Sequence, residues 1–99
     1  MTFSPRVQQT LRNIGRGAGL TPVSEIRLLE IAEGLTYEQI ARKHALSVNT
    51  VKTEVGLVLR SLRVRCRHQI EEAVRAAQLR VEAGATAEEL DRFLRLRFE

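Results

Sequence analysis

The chain has 99 residues, 43% of them hydrophobic, with no tryptophan, one tyrosine, one cysteine and a net charge of +4. That length suits one domain around one core of Leu, Ile, Val and Ala, residues that with Glu and Arg favour helix over sheet. The lone Cys66 excludes an intrachain disulfide and a cysteine-based metal cluster, and residues 1–19 carry Arg6, Arg12 and Arg16 without a continuous apolar run, unlike a signal peptide or a membrane span.

Ser4 followed by Pro5 is a helix start, an N-cap and then proline at the first helical position. Val7, Leu11 and Ile14 fall on one face, with Phe3 just ahead. Gly15 is expected to end this helix, and residues 16–19 (Arg-Gly-Ala-Gly) to form a flexible joint. Thr21-Pro22 repeats the start signal. Ile26, Leu28, Leu29, Ile31 and Ala32 then make a broad apolar face, and Gly34 supplies a left-handed stop. Thr36 with Gln39 forms a capping box for a helix that ends near His44 or Ala45 and turns Ile40 and Ala41 inward.

Ser47 caps a further helix that runs to about Leu62, with Val51, Val55, Val58, Leu59 and Leu62 inward. Residues 63–65 break the periodicity. A helix over about 67–83 follows, in which Ile70, Val74, Ala77 and Val81 recur at four-three-four spacing, a narrow seam that suits either core packing against the first helix or, better, a helix–helix dimer. Gly84 stops it, and Thr86 with Glu89 caps a short last helix with Leu90, Phe93 and Leu94 inward. No strand pair is legible. The predicted fold class is all-α, a small bundle of about six helices.

Charge is concentrated in the middle. Between Arg42 and His68 stand Arg42, Lys43, Lys52, Arg60, Arg63, Arg65 and Arg67 against Glu54 alone, so this stretch carries +6 and the rest about −2. A basic centre of this kind suits a phosphate-facing surface. It coincides with two helices joined by a short turn, 36–44 and 47–62, which is the helix-turn-helix spacing. Such a unit needs small or polar residues where the second helix meets the bases, and Asn49, Thr50, Lys52, Thr53 and Gly56 supply them. It needs donors for phosphates, which Thr36, Ser47, Thr50 and Lys52 offer along with the helix N-terminus. It also needs an apolar joint, here Ile40, Ala41, Leu46, Val51 and Val55.

Residues 20–67 resemble the LuxR/GerE-type helix-turn-helix domain. The matches are Leu20-Thr21-Pro22, Glu33-Gly34-Leu35, Ile40-Ala41, Ser47, Thr50-Val51-Lys52-Thr53, Leu59-Arg60, Leu62, and Val64-Arg65 with Arg67. The resemblance implies a tetrahelical fold, a recognition helix after Ser47 with Lys52 and Thr53 at its bases and backbone contacts, and dimerisation through the following helix. The chain then divides into an N-terminal amphipathic helix and joint (1–19), the LuxR/GerE-type domain with an extended fourth helix (20–83), and an accessory helix (84–99). The chain departs from the family pattern in six places, the first being Val23-Ser24 after Pro22, where acidic and basic residues are usual and Glu25 is one place off. His44 occupies a position usually held by a buried leucine, Ala45 one where glycine is preferred, and Glu54 one where histidine is common. Gly56 stands where relatives place a long side chain, and Cys66 replaces a polar N-cap. A left-handed turn at Ala45 would cost about 1 kcal/mol.

The expected function is therefore a sequence-specific double-stranded-DNA-binding transcription regulator, bacterial or phage and cytoplasmic. The expected DNA-binding residues are Thr36, Ser47, Asn49, Thr50, Lys52, Thr53, Gly56, Arg60, Arg65 and Arg67, and the expected homodimer interface is Ile70, Val74, Ala77 and Val81. The alternative is a protein-interaction module, like region 4 of sigma factors or an adaptor, that binds RNA polymerase or another regulator. No nucleophile–base pair or glycine-rich phosphate loop suggests an enzyme. His44 and His68 lie far apart without a carboxylate pair, so neither a metal nor another cofactor is expected. His44 reads as a partly buried, hydrogen-bonded side chain, and Cys66 as structural.

Overall fold

Five of the helix starts rest on the side-chain caps read from the sequence. In the computed structural model, which describes residues 3–98, Ser4, Thr21, Thr36, Ser47 and Thr86 each accept a hydrogen bond from the backbone N–H three residues on. Each such cap contributes about 1 kcal/mol. They open α1 (Pro5–Gly17), α2 (Pro22–Ala32), α3 (Tyr37–His44), α4 (Val48–Ser61) and α6 (Ala87–Arg97), while α5 (Arg67–Glu82) starts after Cys66. The described residues form six helices and no strand.

All five joints close in one way. A backbone N–H two or three residues past the helix reaches back five positions, from Leu20 to Gly15, Leu35 to Glu30, Leu46 to Ala41, Val64 to Leu59 and Ala85 to Arg80. This closure needs a left-handed residue just before that donor. Gly19, Gly34 and Gly84 supply it at three joints, but Ala45 (φ 55°) and Arg63 (φ 58°) do so at the ends of α3 and α4. A side chain strains that conformation, so Ala45→Gly is expected to stabilise the fold by about 0.5–1 kcal/mol. A Tm several degrees higher in thermal unfolding would verify it.

The first joint differs from its expectation. Helix α1 continues through Gly15, and residues 16–19 form a hydrogen-bonded closure, not a flexible joint. Gly15 is there for close approach: a Cβ would lie 3.0 Å from Leu20 Cδ1 and 3.2 Å from Leu28 Cδ2. With no side chain at that position, α1 can lie directly against α2.

One apolar cluster joins all six helices. Phe3, Val7, Leu11 and Ile14 meet Leu90, Leu94 and Phe98, and continue through Ile70, Val74 and Ala77 to Leu28, Ile31, Ile40, Val51, Val55, Val58 and Leu62. Helix α1 packs on α2, α5 and α6; α5 packs also on α2 and α6; and α4 packs on α2 and α3. The terminal helices are thus part of the same core as residues 20–83.

That packing turns most of the expected dimer seam towards the chain's own core. Ile70, Val74 and Ala77 are 0%, 3% and 0% exposed within a single chain, and Val81 is half-buried. The seam is narrow because α5 is wedged between α2 and the α1–α6 pair, which need an apolar partner and find it there. A second corrected element is the face of α2. Ile26 is exposed, whereas Glu25, Arg27 and Glu30 are buried with Leu28, Ile31 and Ala32.

Candidate nucleic-acid interface

The turn between α3 and α4 sets the site. Ile40 and Ala41 of α3 pack with Val51 and Val55 of α4, and Leu46 closes the corner. Val51, Val55, Val58 and Leu62 hold one side of α4 against the core. At about 100° per residue, Asn49, Lys52, Thr53, Gly56 and Arg60 fall on the opposite side. Asn49, Lys52, Thr53 and Arg60 are exposed, and Gly56 would have open space around a Cβ. Ser47 and Thr50 are exposed at the start of this helix, and Thr36 at the start of α3.

The polar heads on this face are not equally free. Ser47 Oγ accepts from the Thr50 N–H and lies 2.9 Å from Thr50 Oγ1. Thr53 Oγ1 donates back to the Asn49 carbonyl at 3.1 Å. Thr36 and Gln39 hold each other in a capping box. Among the described residues, the Asn49 carboxamide has no hydrogen-bond partner and the Lys52 ammonium no ion pair.

Glu54, the one acidic residue in the basic stretch, faces α2. Its Oε1 lies 2.6 Å from Arg27 Nε. Arg27 Nη1 in turn reaches Glu30 Oε1 at 2.9 Å, and Glu30 Oε2 receives His44 Nε2 at 2.6 Å and Lys43 Nζ at 3.2 Å. His44 and Glu54 are therefore the two ends of one chain of salt links and hydrogen bonds tying α3 and α4 to α2. Burial pushes the Glu30 carboxyl up, but hydrogen bonds from His44, Lys43 and Arg27 outweigh it and hold that group below the ordinary glutamate range. Burial likewise opposes the charge on Arg27, and its bonds to Glu54 and Glu30 reverse the effect, raising it. No buried side-chain nitrogen or oxygen among the described residues lacks a partner.

Arg27 and Glu30 were missed as members of the site. Opposite charges three apart inside an apolar helix face were the available signal. They do not touch the outward face; they fix how α4 is presented.

The basic rim is only partly as expected. Arg60 and Arg65 are exposed, as are Arg42 and Arg63. Arg67 is not a free phosphate donor. Its Nη2 donates to the carbonyls of Ile31 and Leu35, its guanidinium lies 5.2 Å from the Tyr37 ring centroid, and Glu71 pairs with it at 3.6 Å. The open carbonyls at the end of α2 draw it inward. Arg67→Ala is accordingly expected to cost about 1–3 kcal/mol of stability, read by urea unfolding. Cys66 is exposed, not packed into the core, and the N–H groups of Arg65 and Cys66 that precede α5 are capped by Gln69 Oε1.

Comparison with protein-family models, with curated proteins and with solved structures gives no match.

Proposed function

We propose that the chain is a double-stranded-DNA-binding transcription regulator of the LuxR/GerE type that lays the outward face of α4 in the major groove. The observation that carries this reading is the pairing of Glu54 with Arg27 at 2.6 Å. It removes the one negative charge from a face otherwise made of Ser47, Asn49, Thr50, Lys52, Thr53 and Gly56, and leaves that face neutral to basic. Arg60 and Arg65 flank it for the phosphates. Ile70, Val74 and Ala77 are buried inside the chain, so pairing of two copies on the duplex would use another surface.

Titration of a random-sequence duplex at two salt concentrations tests the reading. Affinity should fall steeply with salt, as phosphate neutralisation requires. Lys52→Ala should weaken binding by about 1–3 kcal/mol and flatten the salt dependence. Absence of binding at low salt would overturn the proposal. The exposed apolar side chains Val23, Ile26 and Leu57 favour a second reading, a protein-interaction module docking on RNA polymerase or another regulator. Capture of such a partner that survives nuclease treatment, without duplex binding, would support it.

A further inference from the structure

We infer that Asn49 is the residue that reads sequence, and that the base it reads is adenine. This rests on the duplex-binding reading above and goes beyond it by naming the specificity determinant. The geometry and the hydrogen bonds of α4 carry it together. Asn49 stands one residue into α4, at the centre of the outward face, in line with Gly56 two turns on and Arg60 three turns on. Gly56 puts no side chain there, and the space around it is open, so a groove floor can approach the α4 backbone closely. The first two turns hold few side chains able to hydrogen-bond a base edge. Ser47 and Thr50 are occupied with each other and with the cap, Thr53 Oγ1 is turned back onto the Asn49 carbonyl, and Glu54 is held by Arg27.

Two polar heads remain, the Asn49 carboxamide and the Lys52 ammonium. Lysine is a flexible point charge that serves phosphates and guanine alike. The carboxamide is different. It offers one donor and one acceptor side by side, which matches the N7 acceptor and N6 donor that adenine alone presents in the major groove. Thr53 strengthens the assignment. With its hydroxyl engaged, the part of Thr53 left for contact is its methyl group, and a methyl suits the C5-methyl of thymine on a neighbouring pair. Asn49 and Thr53 lie one turn apart on the same face, so the two contacts would fall on adjacent base pairs.

The test is selection from a random duplex pool with the wild type, Asn49→Ala, Asn49→Asp and Lys52→Ala, followed by titration of the enriched duplex and of its single-base variants. The wild type should enrich one obligatory adenine. Asn49→Ala should lose the preference there by about 5- to 150-fold, the factor for one bidentate pair, while keeping its Tm. Asn49→Asp should shift the preference from adenine towards cytosine, whose N4 donor suits a carboxylate. Lys52→Ala should lose affinity for all sequences and keep the adenine. Salt-sensitive duplex binding without an obligatory adenine, or an adenine that survives Asn49→Ala, overturns this assignment and leaves the duplex-binding reading standing. Absence of duplex binding by the wild type overturns both.

Discussion

Replacing Arg27 by alanine is expected to lower the free energy of unfolding by about 3–5 kcal/mol, the cost of stripping a buried ion pair of one partner. Arg27 and Glu30 have side chains only 5% exposed, and Glu54 is 25% exposed. The variant leaves two carboxylates facing a void, with Lys43 and His44 serving Glu30 alone. Urea unfolding at pH 7 reads the loss, and a change below about 1 kcal/mol would show the network to be solvated. The double variant Arg27→Met with Glu54→Leu should recover most of it, since matched apolar groups replace a buried pair at little cost.

The pH dependence has a definite sign. The Glu30 carboxyl is held below its ordinary range in the fold. The stability it contributes is therefore complete above the unfolded glutamate value of about 4.3, and disappears as pH falls through the lower folded value. The gap between wild type and Arg27→Ala should thus be widest near neutrality and close in acid. The network is also the reason the outward face of α4 can be free of negative charge, so loss of Arg27 should weaken duplex binding as well as stability.

Ile70→Ala and Leu94→Ala are each expected to cost about 2–5 kcal/mol, the range for truncating a fully buried aliphatic side chain. Both residues are 0% exposed and belong to one core cluster. The two substitutions address different expectations. Had Ile70 lain in a dimer seam, its loss would make stability depend on protein concentration, whereas a core residue lowers it equally at all concentrations. Had α6 been an appendage, Leu94→Ala would leave the unfolding of the rest unchanged. A loss independent of concentration for both, in one cooperative transition, is the result that a single core across α1, α5 and α6 requires.

Much of the helical layout was legible because its signals are local. The caps at Ser4, Thr21, Thr36, Ser47 and Thr86 involve atoms three residues apart, and such a contact depends on little beyond the segment itself. The same holds for the stops at Gly34 and Gly84, and for the inward rows of α1 and α4. Gly15 was misread because glycine serves both as a stop and as a place of close approach. Only the presence of Leu20 and Leu28 opposite it distinguishes the two.

The candidate site divides along the same line. Which side chains of α4 point away from the core follows from helical periodicity, so Asn49, Lys52, Thr53, Gly56 and Arg60 could be named from the sequence. Which of their polar heads remain free could not, since Arg27 reaches Glu54 across 27 positions of sequence and Arg67 reaches Ile31 across 36. The direction of the α5 seam belongs to this second class. An apolar stripe records that a helix will be covered, not by what, and here α1, α2 and α6 of the same chain cover it. Capping, periodicity and turn chemistry are written within a few residues. Partner choice for a charge or an apolar stripe is set by elements far apart in the chain, and is absent until the helices have packed.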